Sequence, residues 1–173
     1  MPERNDEMYG KIVKRNQKIA YYGIKDENGN VVYQKMKGFT DISVSKNPKE
    51  YQRQYVDEIT ETTDVISYSP TIDFSFDVFN ENQVHLDIEK VFNSELIGSD
   101  AVKSIVMVDF TKPSEEAEGA YEMNMRDFSL IPDTEGKGTE FYQYSGTFKA
   151  KGDVRVGYAT SEDGFETCVP HIE

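Results

Sequence analysis

The alternation of apolar and polar residues is most regular between positions 72 and 78. Four apolar residues point one way and three small polar residues point the other: Ile72, Phe74, Phe76 and Val78 against Asp73, Ser75 and Asp77. A period of two predicts a β-strand with one buried face and one hydrated face. The hydrated face of this strand is acidic and carries no basic side chain.

Residues 38–46 repeat the same chemistry. Thr40, Ile42 and Val44 fall on one side of this second predicted strand, and Asp41, Ser43 and Ser45 fall on the other. If the two strands are neighbours, their hydrated sides form one continuous polar surface.

Residues 47–63, which join these strands, follow neither a helical nor a strand period, and they predict a long loop. The segment carries Tyr51, Tyr55, Val56 and Ile59 among charged residues. A disordered linker is poor in such residues, and a long loop in a compact domain usually has a function. Two interpretations stay open: the loop packs on its own domain, or it folds onto a neighbouring molecule.

The other patterns complete a mainly β prediction. Asn28-Gly29 predicts a hairpin turn between residues 18–24 and 31–36. Asn80 is the expected N-cap of one amphipathic helix, which presents Val84, Ile88, Val91 and Phe92 at helical spacing. Further strands are expected at 102–110, 121–131, 140–150 and 153–160, with a bulge near Arg126 and Asp127 where the alternation loses phase.

The predicted fold is therefore two packed antiparallel sheets, as a β-sandwich or barrel, with one flanking α-helix. We expect residues 1–173 to form a single domain with an N-terminal arm over 1–16 and a C-terminal tail over 161–173.

Composition adds two constraints. Hydrophobic residues make up only 37% of the chain, yet it holds 11 Tyr and 10 Phe, which suggests that burial is completed against other subunits. The net charge is −13; residues 1–53 hold 11 Lys and Arg against 7 Asp and Glu, and the remainder holds 8 against 25. This distribution argues against a nucleic-acid-binding protein, and a basic arm would attract an acidic body when copies stack.

No candidate for catalysis or cofactor binding emerges from the sequence. Cys168 is the single cysteine, and His85 has no nucleophile or metal ligand at a suggestive spacing. The N-terminus lacks the apolar core of a secretory signal, and no apolar run is long enough to span a membrane. We expect no enzymatic activity, no cofactor, no metal site and no membrane partner.

Several stretches together resemble a known family, the major tail tube proteins of long-tailed phages (siphophages) that infect Gram-positive bacteria. The residues that carry the resemblance are Ser45–Tyr51, Gln52–Glu58, Tyr68–Pro70, Ile72–Asp77 and Gly152–Gly157. It is closest over residues 38–110 and looser at the termini.

The resemblance implies a structural virion protein that self-assembles into stacked hexameric rings, whose inner sheets join into one closed barrel. It implies that the loop over 47–63 reaches the adjacent ring, with contacts from Tyr51, Arg53, Tyr55, Val56 and Ile59. The two arms are expected to add contacts through Tyr9, Ile12, Phe165 and Val169.

The acidic strand faces fit the lumen of such a tube. DNA carries one negative charge per roughly 1.7 Å of axis, so a lumen lined with Lys or Arg would hold it, whereas small acidic residues let it slide. We expect five residues to face the lumen: Asp41, Ser43, Asp73, Ser75 and Asp77.

The implied partners are further copies of the chain, tail-tip and tail-terminator proteins and the tape measure protein, with DNA passing through without specific binding. The implied location is the virion tail, after synthesis in the cytoplasm of the bacterial host. Two alternatives remain: a β-sandwich binding or decoration module of a virion, and the tube of a contractile injection system.

Overall fold

The computed structural model describes residues 10–173. Eleven strands and one α-helix follow one another in this part of the chain: β1 (Lys18–Lys25), β2 (Val31–Lys35), β3 (Phe39–Ser45), β4 (Pro48–Arg53), β5 (Thr62–Tyr68), β6 (Thr71–Asp77), α1 (Gln83–Ser94), β7 (Val102–Pro113), β8 (Tyr121–Glu135), β9 (Gln143–Ala150), β10 (Arg155–Thr160) and β11 (Thr167–Ile172). Short 3₁₀ turns precede β1 and β7, at Arg15–Gln17 and Gly98–Ala101.

Six strands close into an antiparallel barrel in the order β10-β11-β2-β1-β7-β8, and β8 pairs back to β10. The barrel interior is apolar and holds Tyr21, Val106, Val108, Met123, Met125, Ala159 and Cys168. The predicted mainly β fold with one helix is confirmed.

Strand β8 is long enough to pair both within the barrel and within the sheet that extends from it. Its first part, Tyr121–Met125, pairs with β10 in the barrel, and its later part, from Phe128, pairs with β9. Strands β9, β6 and β3 continue the sheet outward from there.

This double role explains the loss of phase near Arg126. Met123 and Met125 are buried inside the barrel, whereas Phe128 and Leu130 are buried on the opposite side of the same strand. The predicted bulge at Arg126 and Asp127 is wrong, because β8 pairs with β7 without interruption from Val102↔Ser129 to Asp109↔Glu122. The buried side changes because the strand leaves one hydrophobic core and enters another.

Helix α1 covers one side of the sheet formed by β9, β6 and β3. Val84, Ile88 and Val91 are fully buried and pack in one cluster with the apolar side of β6, which presents Ile72, Phe74 and Phe76. The N-cap is Asn82 and not the predicted Asn80; its side chain accepts hydrogen bonds from the backbone N–H groups of Val84 and His85.

His85 is also fully buried on this helix. Its Nδ1 accepts a hydrogen bond from the Phe79 N–H at 3.1 Å, so the ring proton lies on Nε2, which donates to the Lys37 carbonyl oxygen at 2.6 Å. The imidazole also stacks on Phe76 with a centroid distance of 4.4 Å. His85 therefore fastens α1 to two chain segments and presents no free nitrogen for chemistry.

The predicted C-terminal tail over 161–173 is wrong for most of its length. Thr167–Ile172 form β11, which pairs with both β10 and β2 and closes the barrel. The tail has no recognisable sequence period because its exposed and buried positions are set by two different neighbours. Of the predicted N-terminal arm, residues 1–9 lie outside the described residues.

Candidate assembly surfaces

The segment predicted as a long loop is a β-hairpin. Strands β4 and β5 pair with each other from Pro48↔Tyr68 to Arg53↔Thr62 and form a sheet of their own. The prediction of a loop over 47–63 is therefore wrong for 48–53 and 62–63, which are strand, whereas 54–61 form the turn of the hairpin. These strands carry polar side chains on both faces, so the alternation that reveals a half-buried strand is missing.

A kink at Asn47 separates this hairpin from β3 and β6, with which it is continuous along the chain. Asn47 has a left-handed backbone conformation (φ 46°). Its side-chain amide donates to the Ser69 carbonyl oxygen at 3.1 Å and to the Thr71 hydroxyl at 3.2 Å. Asn tolerates this conformation better than most residues, and the two hydrogen bonds hold the start of the hairpin against the end of the main sheet. We call this point, where Asn47 lies beside Ser69, the hinge of the hairpin.

The tip of the hairpin, residues 54–61, exposes apolar side chains to solvent. Val56 is 108% exposed and Ile59 is 98% exposed, while Tyr51 and Tyr55 are about half exposed. An isolated two-stranded hairpin is only marginally stable in water. The apolar side chains of the tip therefore have no cover from the rest of residues 10–173.

Arg53 organises the two tyrosines of the hairpin. Its guanidinium donates to the Tyr55 hydroxyl at 2.8 Å, pairs with Asp64 at 2.7 Å, and lies 5.5 and 5.6 Å from the ring centroids of Tyr51 and Tyr55. The hydrogen bond to Tyr55 and the charge of Asp64 raise the pKa of Arg53 above its usual value. The cation is thus engaged within the hairpin, where it orients the tyrosine rings.

The five residues predicted to face a lumen do share one side of the sheet. In the β3–β6 pairing Asp41 is opposite Ser75 and Ser43 is opposite Asp73, and Asp77 follows two residues further along β6. A bulge after Phe39 turns Thr40 toward this side as well, where its hydroxyl lies 2.7 Å from that of Ser75.

Strand β9 extends this polar side, which sequence reasoning missed. Thr147 is paired with Asp73 and donates to its carboxylate at 2.9 Å, and Gln143 is paired with Asp77 and donates at 2.7 Å. The signal was present as alternating polar residues at 143, 145 and 147, which repeat the pattern of β6. We define the acidic face as the hydrated side of β3, β6 and β9.

The predicted arm contacts divide into three cases. Tyr9 lies outside the described residues, while Ile12 and Val169 are 66% and 54% exposed. Phe165 instead packs within the chain, with its ring centroid 5.1 Å from that of Phe110 and 5.5 Å from that of Tyr121. Its role as an outward anchor is corrected, because the ring covers one end of the barrel core.

Among residues 10–173, no group of three or more His, Cys, Asp or Glu side chains is placed to hold a metal ion. No helix in this part of the chain has the length and hydropathy needed to cross a membrane.

No protein-family model matches the sequence, and no curated protein matches it significantly. Among solved structures, the chain is similar to a chain of the 6-fold symmetrised baseplate of the anti-feeding prophage, with a TM-score of 0.49 and 9% identity over 85% of this chain and 96% of that one. A chain of the tube-terminating cap of the same particle gives a TM-score of 0.48 and 15% identity, over 87% and 93% of the two chains.

A chain of the structure of the sheath/tube terminator of an extracellular contractile injection system, PVC, gives a TM-score of 0.47 and 15% identity, with 85% of this chain and 97% of that chain covered. These similarities concern the path of the backbone, at identities too low to carry over the role of any residue.

Proposed function

We propose that the chain is a structural subunit that self-assembles into stacked hexameric rings, which form the tube of a phage tail or phage-tail-like particle. The observation that carries the proposal is the protruding β4–β5 hairpin, whose tip exposes Val56 and Ile59 almost completely. A side chain of this size contributes about 1.5–3 kcal/mol when it is buried, so the tip gains much from a partner. In the proposal that partner is the adjacent ring.

The free edge of the sheet supports assembly within a ring. Within residues 10–173, β3 pairs with no strand except β6, so its outer edge presents backbone N–H and C=O groups without a strand partner. The Ile42 carbonyl oxygen of this strand accepts a hydrogen bond from the Arg15 guanidinium at 3.2 Å. An exposed edge invites pairing with another chain. Pairing β3 of each subunit with the sheet of the next would join the acidic faces of all subunits into one closed inner wall.

The acidic face supports a lumen through which DNA passes. Asp41 and Asp73 are exposed on it and Asp77 is half-buried. The nearest basic residue along the β6–β9 pairing is Lys149, opposite Thr71 at the end of the face. Such a wall repels DNA weakly, and screening limits the repulsion to about 8 Å at physiological salt.

Negative-stain microscopy of purified protein over a range of concentrations tests the proposal. We expect stacked rings with a central pore. Replacing residues 54–61 with Asn-Gly, a turn that joins paired strands, should leave folded protein that forms no stacks. Failure of the wild-type protein to assemble at any concentration, with or without a tail-tip nucleus, would refute the tube.

The lumen assignment needs its own variant. Asp73→Lys/Asp77→Lys should still form tubes, but these tubes should retain short duplex DNA at low salt, whereas Asp73→Asn/Asp77→Asn tubes should not. Equal DNA retention by wild-type and lysine-bearing tubes would place these residues away from the pore.

The particle class distinguishes two versions of the proposal. A siphophage tube needs tail-tip, terminator and tape measure proteins, and the tube of a contractile injection system additionally binds a sheath. The similar solved chains come from a contractile injection system and from the anti-feeding prophage. Cosedimentation of tubes with the sheath protein encoded beside the chain, if there is one, separates the versions. A virion decoration module remains the outcome if the protein stays monomeric and binds preassembled particles.

A further inference from the structure

An apolar groove of about 340 Å³ lies beside the hinge of the hairpin. The chain at the hinge lines one side of this groove and the outer wall of the barrel lines the other. The apolar residues that form it include Val44, Tyr68, Ile105, Met107, Phe128 and Val154. Ile105 and Phe128 are buried, while Val44, Tyr68 and Val154 are 43%, 59% and 50% exposed. The groove thus has an apolar floor and accessible apolar walls.

Two basic residues, Lys46 and Arg126, also line the groove. No Asp or Glu of residues 10–173 lines it. Neither basic residue belongs to an ion pair with another residue of the described chain. The groove therefore combines an apolar floor with positive charge at its margin.

The hairpin tip has the complementary composition. Val56 and Ile59 are exposed beside Asp57, Glu58 and Glu61, and residues 54–61 contain no Lys or Arg. The turn is held in shape from within, because the Gln54 side-chain amide donates to the carbonyl oxygens of Glu58 and Ile59 at 3.0 Å each. A preformed turn loses little conformational entropy on binding.

We propose that the hairpin tip of one copy inserts Val56 and Ile59 into this groove on another copy, with its carboxylates beside Lys46 and Arg126. This inference rests on the proposed stacking function and names the surface that receives the hairpin. The tip cannot reach the groove of its own chain, because the six residues of β4 hold it about 20 Å from the hinge. Since tip and groove are different surfaces, the contact is heterologous and can repeat from copy to copy.

Charge reversal on each side tests the contact. Asp57→Lys/Glu58→Lys alters the tip, and Lys46→Glu/Arg126→Glu alters the groove. Each variant alone should raise the protein concentration needed for stacking about tenfold or more, since like charges then meet. Mixing the two variants should restore stacking, because each reversed tip finds a reversed groove and each native tip finds a native groove.

A matched control changes the same amount of charge elsewhere. Lys25→Glu/Lys137→Glu replaces two exposed basic residues that do not line the groove, and it should stack like the wild-type protein. If both reversal variants stack at the wild-type concentration, or if their mixture does not recover, the groove is not the receiving surface, although the tube proposal would stand.

A second experiment is independent of tube formation. A cyclised peptide of residues 48–68 is titrated into monomeric protein with ¹³C-labelled methionine methyl groups, and the Met107 resonance reports on the groove. We expect this resonance to shift with the native peptide and to stay unchanged with a peptide carrying Val56→Ser and Ile59→Ser. A shift in a protein that never forms tubes would refute the tube and retain the groove contact.

Two results would overturn the inference in this experiment. One is an unchanged Met107 resonance at millimolar concentrations of a peptide whose own NMR spectrum shows the paired β4–β5 hairpin. The other is a Met107 shift on removing residues 1–9 from the protein, combined with no effect of the peptide on the full chain, because the groove would then belong to the N-terminus of the same chain.

Discussion

Lowering the pH should weaken the docking of α1 through His85. The side chain is fully buried, its Nδ1 accepts the Phe79 N–H, and its Nε2 donates to the Lys37 carbonyl oxygen. A second ring proton would lie on Nδ1 and face another N–H donor. Burial lowers the pKa of His85 below its ordinary value of 6.5, against the smaller opposite effects of the Lys37 carbonyl and of Asp77.

Proton linkage determines whether the free energy of unfolding rises or falls with pH. The unfolded chain binds a proton at His85 near pH 6.5, whereas the folded chain binds it only at lower pH. The contribution of neutral His85 is therefore complete above pH 6.5 and is lost as the pH falls toward the folded pKa. One proton changes the free energy of unfolding by at most about 1.4 kcal/mol per pH unit, so up to about 2 kcal/mol is lost between pH 6.5 and pH 5.

Urea denaturation of wild-type protein and of His85→Leu at several pH values between 7.5 and 5 measures this contribution. Leucine does not titrate, and it leaves the Phe79 N–H and the Lys37 carbonyl without partners, at about 1–3 kcal/mol each. The variant should thus be less stable by about 2–6 kcal/mol at pH 7.5, and the difference should shrink below pH 6.5.

The control is Phe76→Leu, which removes the ring stacked on His85 without removing a titrating group. Its stability curve should run parallel to that of the wild-type protein in this pH range. If the His85→Leu curve also runs parallel to the wild-type curve, then His85 does not couple folding to protonation and the assigned hydrogen bonds are wrong.

Three further predictions concern assembly, the hinge and the barrel. Val56→Ser/Ile59→Ser should leave the free energy of unfolding within about 0.5 kcal/mol, because both side chains are exposed, yet it should prevent stacking in pelleting assays. Asn47→Ala should speed hydrogen exchange in β4 and β5 alone, since it loses two side-chain hydrogen bonds and strains a left-handed residue by about 1–2 kcal/mol. Gly157→Ala should cost about 3 kcal/mol or more in thermal or chemical denaturation, because its Cβ would lie 1.9 Å from the His171 carbonyl oxygen.

Each of these predictions has a matched control. Ile97→Ser removes another exposed aliphatic side chain, 82% exposed and outside the hairpin, and should not affect stacking. Asn47→Gly relieves the backbone strain and should show a smaller exchange effect than alanine. Gly152→Ala meets nothing within 4 Å and should be tolerated. If a variant and its control give the same result in the stated assay, the corresponding prediction is wrong.

The sequence alone determined the elements whose two sides meet different environments. Strand β6 was predicted from its alternation because one side is packed under α1 while the other is hydrated, and the amphipathic stripe of α1 was visible for the same reason. The common polar side of β3 and β6 also followed from sequence, since two strands with the same alternation align their polar sides when they pair. Local chemistry was sufficient in these places.

Only the tertiary structure decided what depends on distant partners. The hairpin β4–β5 was hidden because neither of its sides is buried within the chain, and β11 was hidden because its neighbours β2 and β10 set its pattern jointly. The buried side of β8 changes where the strand passes from the barrel core to the core beneath α1. In the sequence alone this change is a break in the alternation, and it was misread as a bulge. Phe165 was likewise misjudged, because the aromatic rings that cover it come from β7 and β8, more than forty residues earlier in the chain.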